Sequence, residues 1–231
     1  MPLAGSAELP VLRPVRVWDL PTRIFHWSLV CLVLLLITTG KIGGDAMVWH
    51  GYAAYGVACL LLFRLSWGFF GGHWSRVRNF SASPSAIADT VRGRNAVREW
   101  VGHNPLGSLS VIAMLLVIAV QCLSGAFSAD KGEYFGPLTL LVSDSAVASF
   151  TRYHKNMGQF LVLSLVLLHV TAILYYRYVK REDLIHPMLI GDKTLGVGVP
   201  DSRDTPRTRL LALSILAASA LVLAALLRWA S

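Results

Sequence analysis

The segment HKNMGQFLVLSLVLLH, residues 154–169, places one histidine at each end of an unbroken apolar run. Followed from Met157 to Tyr178, the run matches the ~20 residues with which a helix crosses ~30 Å of hydrocarbon. It is continuously apolar rather than alternating, which selects a helix over a barrel strand, because a lipid-exposed segment must satisfy its own backbone. Four more stretches share this character: Leu20 to Gly40, Trp49 to Phe70, Leu106 to Phe127 and Leu210 to Leu227. Composition agrees, since 55% hydrophobic residues, 15% charged residues and a mean hydropathy of +0.56 do not describe a water-soluble core. The expected architecture is an all-α membrane protein, a single domain over 1–231, with a four-helix transmembrane bundle in 15–181 and a fifth C-terminal span at 210–227. That fifth span contains no residue able to do chemistry.

The basic residues orient these spans. Fifteen Lys and Arg fall in the N-terminal segment, the second-to-third connection and the fourth-to-fifth region; five fall on the other side, and Arg64 lies inside the second span. The positive-inside rule then makes the N-terminus cytoplasmic in a multi-pass membrane protein. The net charge of +8 is thereby a topology signal, and its spread along loops excludes a nucleic-acid face. The first nineteen residues hold Glu8, Arg13, Arg16, Asp19, Pro10 and Pro14, which interrupt any signal-peptide core. Of the connections, 71–104 suits a short amphipathic helix on the membrane surface, 128–152 is the more acidic loop, and 185–206 reads as an irregular tether. Trp18, Trp27, Trp49, Trp67, Tyr175, Tyr176 and Tyr178 fall at span ends, where aromatics anchor in the interface.

Placing the histidines by depth gives a pattern. His26 enters the first span on the inner side, and His50 opens the second on the outer side. The fourth span carries His154 outward and His169 inward. These last two are separated by about 22 Å of helical rise and only about 60° of rotation, so one face carries both. Each depth thus receives one imidazole from the fourth span and one from another helix. Neutral imidazole is the usual protein ligand for haem iron, and two depth-matched pairs describe two stacked haems close enough for electron tunnelling. Cys31, Cys59 and Cys122 form no C-x-x-C-H, so the haems would be held without covalent attachment. Charges buried near these levels need partners, and haem propionates supply them: Arg23 and Arg64 at the inner level, Arg152 or Lys155 at the outer. His73 and His186 read as solvated. Gly51, Gly56, Gly125 and Gly158 permit close approach of a porphyrin or a neighbouring helix.

The strings VWDLPTRIFHW (17–27), WHGY (49–52), GHNPLG (102–107) and HKNMG (154–158), with the later His169, resemble the bacterial cytochrome b561 family. That family is close to the b-type cytochrome subunits of nickel–iron hydrogenases and, more distantly, of formate dehydrogenases. The resemblance covers about 15–181. It implies two haem b groups with bis-histidine ligation, His26 with His169 and His50 with His154, passing electrons between membrane quinone and a redox partner. In the related formate dehydrogenase subunits an Asn opening the third helix and the inner haem ligand flank the quinone, which points to a pocket near Asn104, His103 and His169. The expected partners are lipid, quinone or quinol, and a periplasmic electron-transfer protein, either a c-type cytochrome or a hydrogenase-like subunit. The alternative function is a membrane anchor of a hydrogenase-like respiratory complex.

Overall fold

A computed structural model describes residues 12–80, 83–92, 94, 100–130 and 134–230. Glu8 and Pro10 of the N-terminal segment, and Arg98 and Glu99 of the expected surface helix, lie outside the described residues. Five helices are long and apolar enough to cross a membrane. They are α1 (Leu20–Ile42), α2 (Ala46–Phe70), α4 (Pro105–Ala126), the unbroken Asp144–Tyr178, and α8 (Pro206–Ala230). A short α3 (Pro84–Val91) precedes α4 and lies against it. We call the end of the bundle where α1 begins basal and the opposite end distal.

Side-chain caps open several of these helices. Asp19, Ser83, Asn104 and Ser143 each accept a backbone N–H two or three residues into the following turn, and a proline sits in the first turn after the first three. The fourth span differs from expectation at its distal end, where the helix starts at Asp144 rather than Met157. Its first part, α5 (Asp144–Tyr153), is too polar to register as a span, yet Ser143 caps it and Asp144 suits its positive end. A π turn, His154–Gly158, then leads into α6 (Gln159–Tyr178).

The connection 185–206 is not an irregular tether. It holds α7 (Ile185–Ile190), ended by Gly191 at φ 100°, a left-handed position that favours glycine, and then β4 (Asp192–Gly196). β4 pairs antiparallel with β1 (Leu12–Arg16), so the otherwise helical chain gains a basal two-stranded ribbon. Strands that far apart in sequence leave no local periodicity to read. A second small ribbon, β2 (Ala129–Asp130) with β3 (Tyr134–Phe135), lies at the distal end.

The basal end is organised around Asp19, whose side chain is wholly buried. Its carboxylate accepts hydrogen bonds from Thr22 N (2.8 Å), Trp67 Nε1 (3.2 Å), Gly72 N (3.0 Å) and Ser75 Oγ (2.8 Å). One acceptor therefore ties the start of α1 to the end of α2. Trp67, expected as an interfacial anchor, is fully buried in this contact, and Trp18 is buried nearby. In both cases a polar partner or a packed ring inside the bundle outcompetes the headgroup region. Beside them Phe25, Phe63, Trp67 and Ala212 form a core cluster that joins α8 to α1 and α2.

Replacing Asp19 with Ala leaves four buried donors without their acceptor and is expected to lower stability by roughly 3 kcal/mol. The exposed Asp201, ion-paired to Arg13, should cost under about 1 kcal/mol when changed to Ala. Thermal unfolding of both variants in detergent checks the contrast.

Candidate functional site

The fold brings the four histidines together as two facing pairs. At the basal level the rings of His26 on α1 and His169 on α6 have centroids 6.4 Å apart, with planes at 54°. At the distal level His50 on α2 and His154 at the π turn are 6.2 Å apart, at 83°. A metal–imidazole bond of about 2.0 Å plus about 1.1 Å from nitrogen to ring centre separates two rings sharing one metal by about 6.2 Å. Both spacings fit. Among the described residues no group of three or more His, Cys, Asp or Glu could hold a metal ion. Two nitrogens leave a bare ion short of ligands, whereas an iron already held in a porphyrin needs only two axial ones.

Neighbouring helices fix the distal imidazoles. His50 Nδ1 lies 3.1 Å from the Leu36 carbonyl and 3.2 Å from Thr39 Oγ1, and His154 Nδ1 lies 2.9 Å from the Gln121 carbonyl. An Nδ1–H donating to a carbonyl leaves the Nε2 lone pair free on the opposite side of each ring. The π turn shifts His154 by roughly one residue's 100° relative to an unbroken helix, and Gln121 Nε2 donates to the His154 carbonyl at 2.9 Å. Small residues make this possible. A Cβ on Gly125 would sit 2.7 Å from His154 Cε1, one on Gly40 3.2 Å from His50 Cε1, and one on Gly158 would strike Gln121 Oε1. The expected close approach therefore holds at Gly125, at Gly158 and at Gly56, where a Cβ would sit 3.0 Å from Leu32 of α1; at Gly51 the contact with Tyr134 is an ordinary one. A largely apolar cavity of about 480 Å³ surrounds the distal pair, with Tyr55, Tyr134 and Lys155 among its walls. Lys155 is ion-paired with Asp130, while Arg152 is exposed and lines an adjoining recess with Asp144.

The basal level is polar and unsatisfied by comparison. His26 Nδ1, Arg23 Nε and Arg64 Nη1 are buried atoms without a hydrogen-bond partner among the described residues. Arg23 spends one Nη1 proton on the Leu189 carbonyl, while Arg64, only 6% exposed, lies 5.9 Å over the Phe80 ring. Buried cationic donors without acceptors are costly, and anionic carboxylates such as haem propionates are the groups that would satisfy them. His103 was expected at a span's edge. It lies there, two residues before α4, and is packed between Trp18 (4.7 Å) and Phe80 (5.2 Å), its Nδ1 buried and without a partner among the described residues. Burial first, and then the charges of Arg64 and Lys193, push its pKa down to about 3. Asn104 caps α4 by accepting from Gly107 N at 2.7 Å and donates its amide to the hydroxyl of Tyr176 on α6. His186 is exposed, and His73 packs edge-on against Trp74.

Sequence reasoning overlooked Asp19, Gln121 and Tyr176 as supports of these levels. Asp19 carried a readable signal, because Asp-Leu-Pro is a helix-start pattern. Gln121 and Tyr176 act through contacts between distant helices that no local pattern announces.

Membrane helices that present facing imidazole pairs suited to a porphyrin iron define a membrane cytochrome. Residues 17–191 match the family model for prokaryotic cytochrome b561, and the chain belongs to that family. It is a b-type cytochrome, a haem-binding electron-transfer protein that crosses a bacterial membrane several times. Curated relatives include proteins named as probable Ni/Fe-hydrogenase B-type cytochrome subunits. The one from Azotobacter vinelandii is 25% identical, with 85% of this chain and 95% of the relative covered. The one from Bradyrhizobium diazoefficiens is also 25% identical, with 82% and 90% covered. No solved structure matches the chain.

The buried neutral His103 has a pH consequence. An unfolded chain protonates it below about 6.5 while the folded chain does so only near 3, so its contribution to stability is present above about 6.5 and falls as pH drops below that, by up to about 1.4 kcal/mol per unit. Thermal unfolding between pH 7 and 4.5 is expected to show a shallower acid loss in His103→Gln than in the parent.

Proposed function

We propose that this cytochrome binds two haem b groups, one between His26 and His169 and one between His50 and His154, and conducts electrons between the quinone pool and a partner at the outer face. The observation that carries this reading is the repetition of one interimidazole spacing, 6.4 Å and 6.2 Å, at two depths of one bundle. Bound haem supplies one-electron ferric–ferrous chemistry. The protein's share is to hold each imidazole neutral and aimed, to neutralise propionates, and to admit quinone at one end. Arg23 and Arg64 serve the basal propionates, and Arg152 or Lys155 the distal ones. With fifteen basic residues on the basal connections, the N-terminus is cytoplasmic and the membrane is the bacterial inner membrane.

The quinone site belongs at the basal level, where His103, Asn104, Tyr176 and His169 combine a neutral imidazole with amide and hydroxyl groups near the membrane border. A quinol hydroxyl needs a hydrogen-bond acceptor, and the neutral His103 imidazole offers one. The distal end is where a periplasmic partner would exchange electrons. The names of the relatives favour a hydrogenase-like subunit over a soluble c-type cytochrome, and with it the second reading, a membrane anchor of a hydrogenase-like respiratory complex.

Single alanine substitutions test the pairing. His26→Ala and His169→Ala are expected to remove the same haem from the reduced spectrum and leave the other, and His50→Ala and His154→Ala to remove the second. Loss of both haems from every variant, or of neither, contradicts the assignment. In the same series Asn104→Asp keeps the cap acceptor and removes the amide donor; quinol-driven haem reduction should slow while haem content is unchanged.

A further inference from the structure

The fifth transmembrane helix lies beyond residues 17–191 that the family model covers, and no residue of it suggests chemistry. Its packing is nonetheless specific. Ala212, Ser219 and Ala230 are buried, and Leu216, Leu223 and Leu227 are partly buried, at steps of three and four residues that trace one stripe along the helix. This stripe faces α2, whereas Leu213 and Leu221 elsewhere on the helix are 63% and 71% exposed.

The stripe does two different things along its length. Toward the basal end Ala212, Ile215 and Leu216 join Phe25, Phe63 and Trp67, so protein side chains fill the space. Toward the distal end Leu223, Leu226 and Leu227 instead line the cavity that contains His50 and His154, together with Tyr55 of α2 and Ile118 and Cys122 of α4. The helix therefore covers the seam between α2 and α4 at the distal level, where the cavity would otherwise meet lipid.

We propose that α8 is the lipid-side wall of the distal haem pocket, with Leu223 and Leu227 as the residues that close it. The proposal rests on the reading that this cavity holds the distal haem. A porphyrin held only by two axial nitrogens and apolar contact is retained in proportion to the apolar surface that covers it. Trimming two leucines on one face opens a gap beside the distal group alone, because at the basal level the same helix face touches protein side chains.

The experiment uses the full chain, purified with its haem. Haem per chain is measured as the pyridine haemochrome, and haem escape as transfer to apomyoglobin. L223A/L227A is expected to keep the basal haem and either to lose the distal one or to release it at least ten-fold faster, whereas L213A/L221A behaves as the parent. The affected level is identified by combining the double variant with H169A, which leaves only the distal haem, or with H154A, which leaves only the basal one. L223V/L227V supplies a milder change if the alanine pair folds poorly. Parent-like haem content and escape in L223A/L227A overturn the proposal alone, as does equal loss of both haems from the valine pair, which would make α8 a general brace. A parent with a single haem that is indifferent to H154A overturns the dihaem reading and this proposal with it.

Discussion

Two imidazoles facing each other across a helix interface at about the span of a shared metal, repeated at two depths, is the constraint around which this bundle is arranged. A ring nitrogen at membrane depth needs a partner on both sides, since hydrocarbon offers none. At the distal level one side is served by carbonyls of Leu36 and Gln121 on neighbouring helices. Nε2 is left free on each ring, with the opposing ring's centroid 6.2 Å away. Holding that separation requires close approach elsewhere: glycines at 40, 125 and 158, and a π turn that sets the angle of His154 and is held by Gln121. The helix irregularity and the ligand geometry are one feature.

The two levels are built differently. The distal pair has satisfied Nδ1 atoms and sits in an apolar cavity closed in part by the fifth helix. The basal pair lies near buried Arg64 and Arg23 donors and near a neutral His103 packed between Trp18 and Phe80. Below it Asp19 ties the start of α1 to the end of α2, and the β1–β4 ribbon joins the segments that lead into α1 and α8. Unsatisfied cationic donors at the basal end suit anionic groups, while at the distal end a recess near Arg152 adjoins the cavity.

Much of this was legible in the chain because hydropathy and the rise of a helix are local properties. The five spans were placed to within a few residues, apart from the polar α5 extension, and the depth of each histidine followed from counting residues. What could not be read depends on segments that meet only in three dimensions. β1 and β4 pair across most of the sequence. Trp18 and Trp67 looked like interface anchors because their position along the helix matches that role, and only the folded chain supplies Asp19 and His103 as competing partners. The π turn is invisible to a count at 100° per residue, although the glycine it needs, Gly158, stands in the quoted segment.

The most direct measurement is haem stoichiometry of the purified, unmodified chain, with low-temperature EPR of its oxidised form. The expected result is two haem b groups per chain, both low-spin with two nitrogenous axial ligands. A single haem per chain, or a high-spin iron with an open axial position at either level, would contradict it.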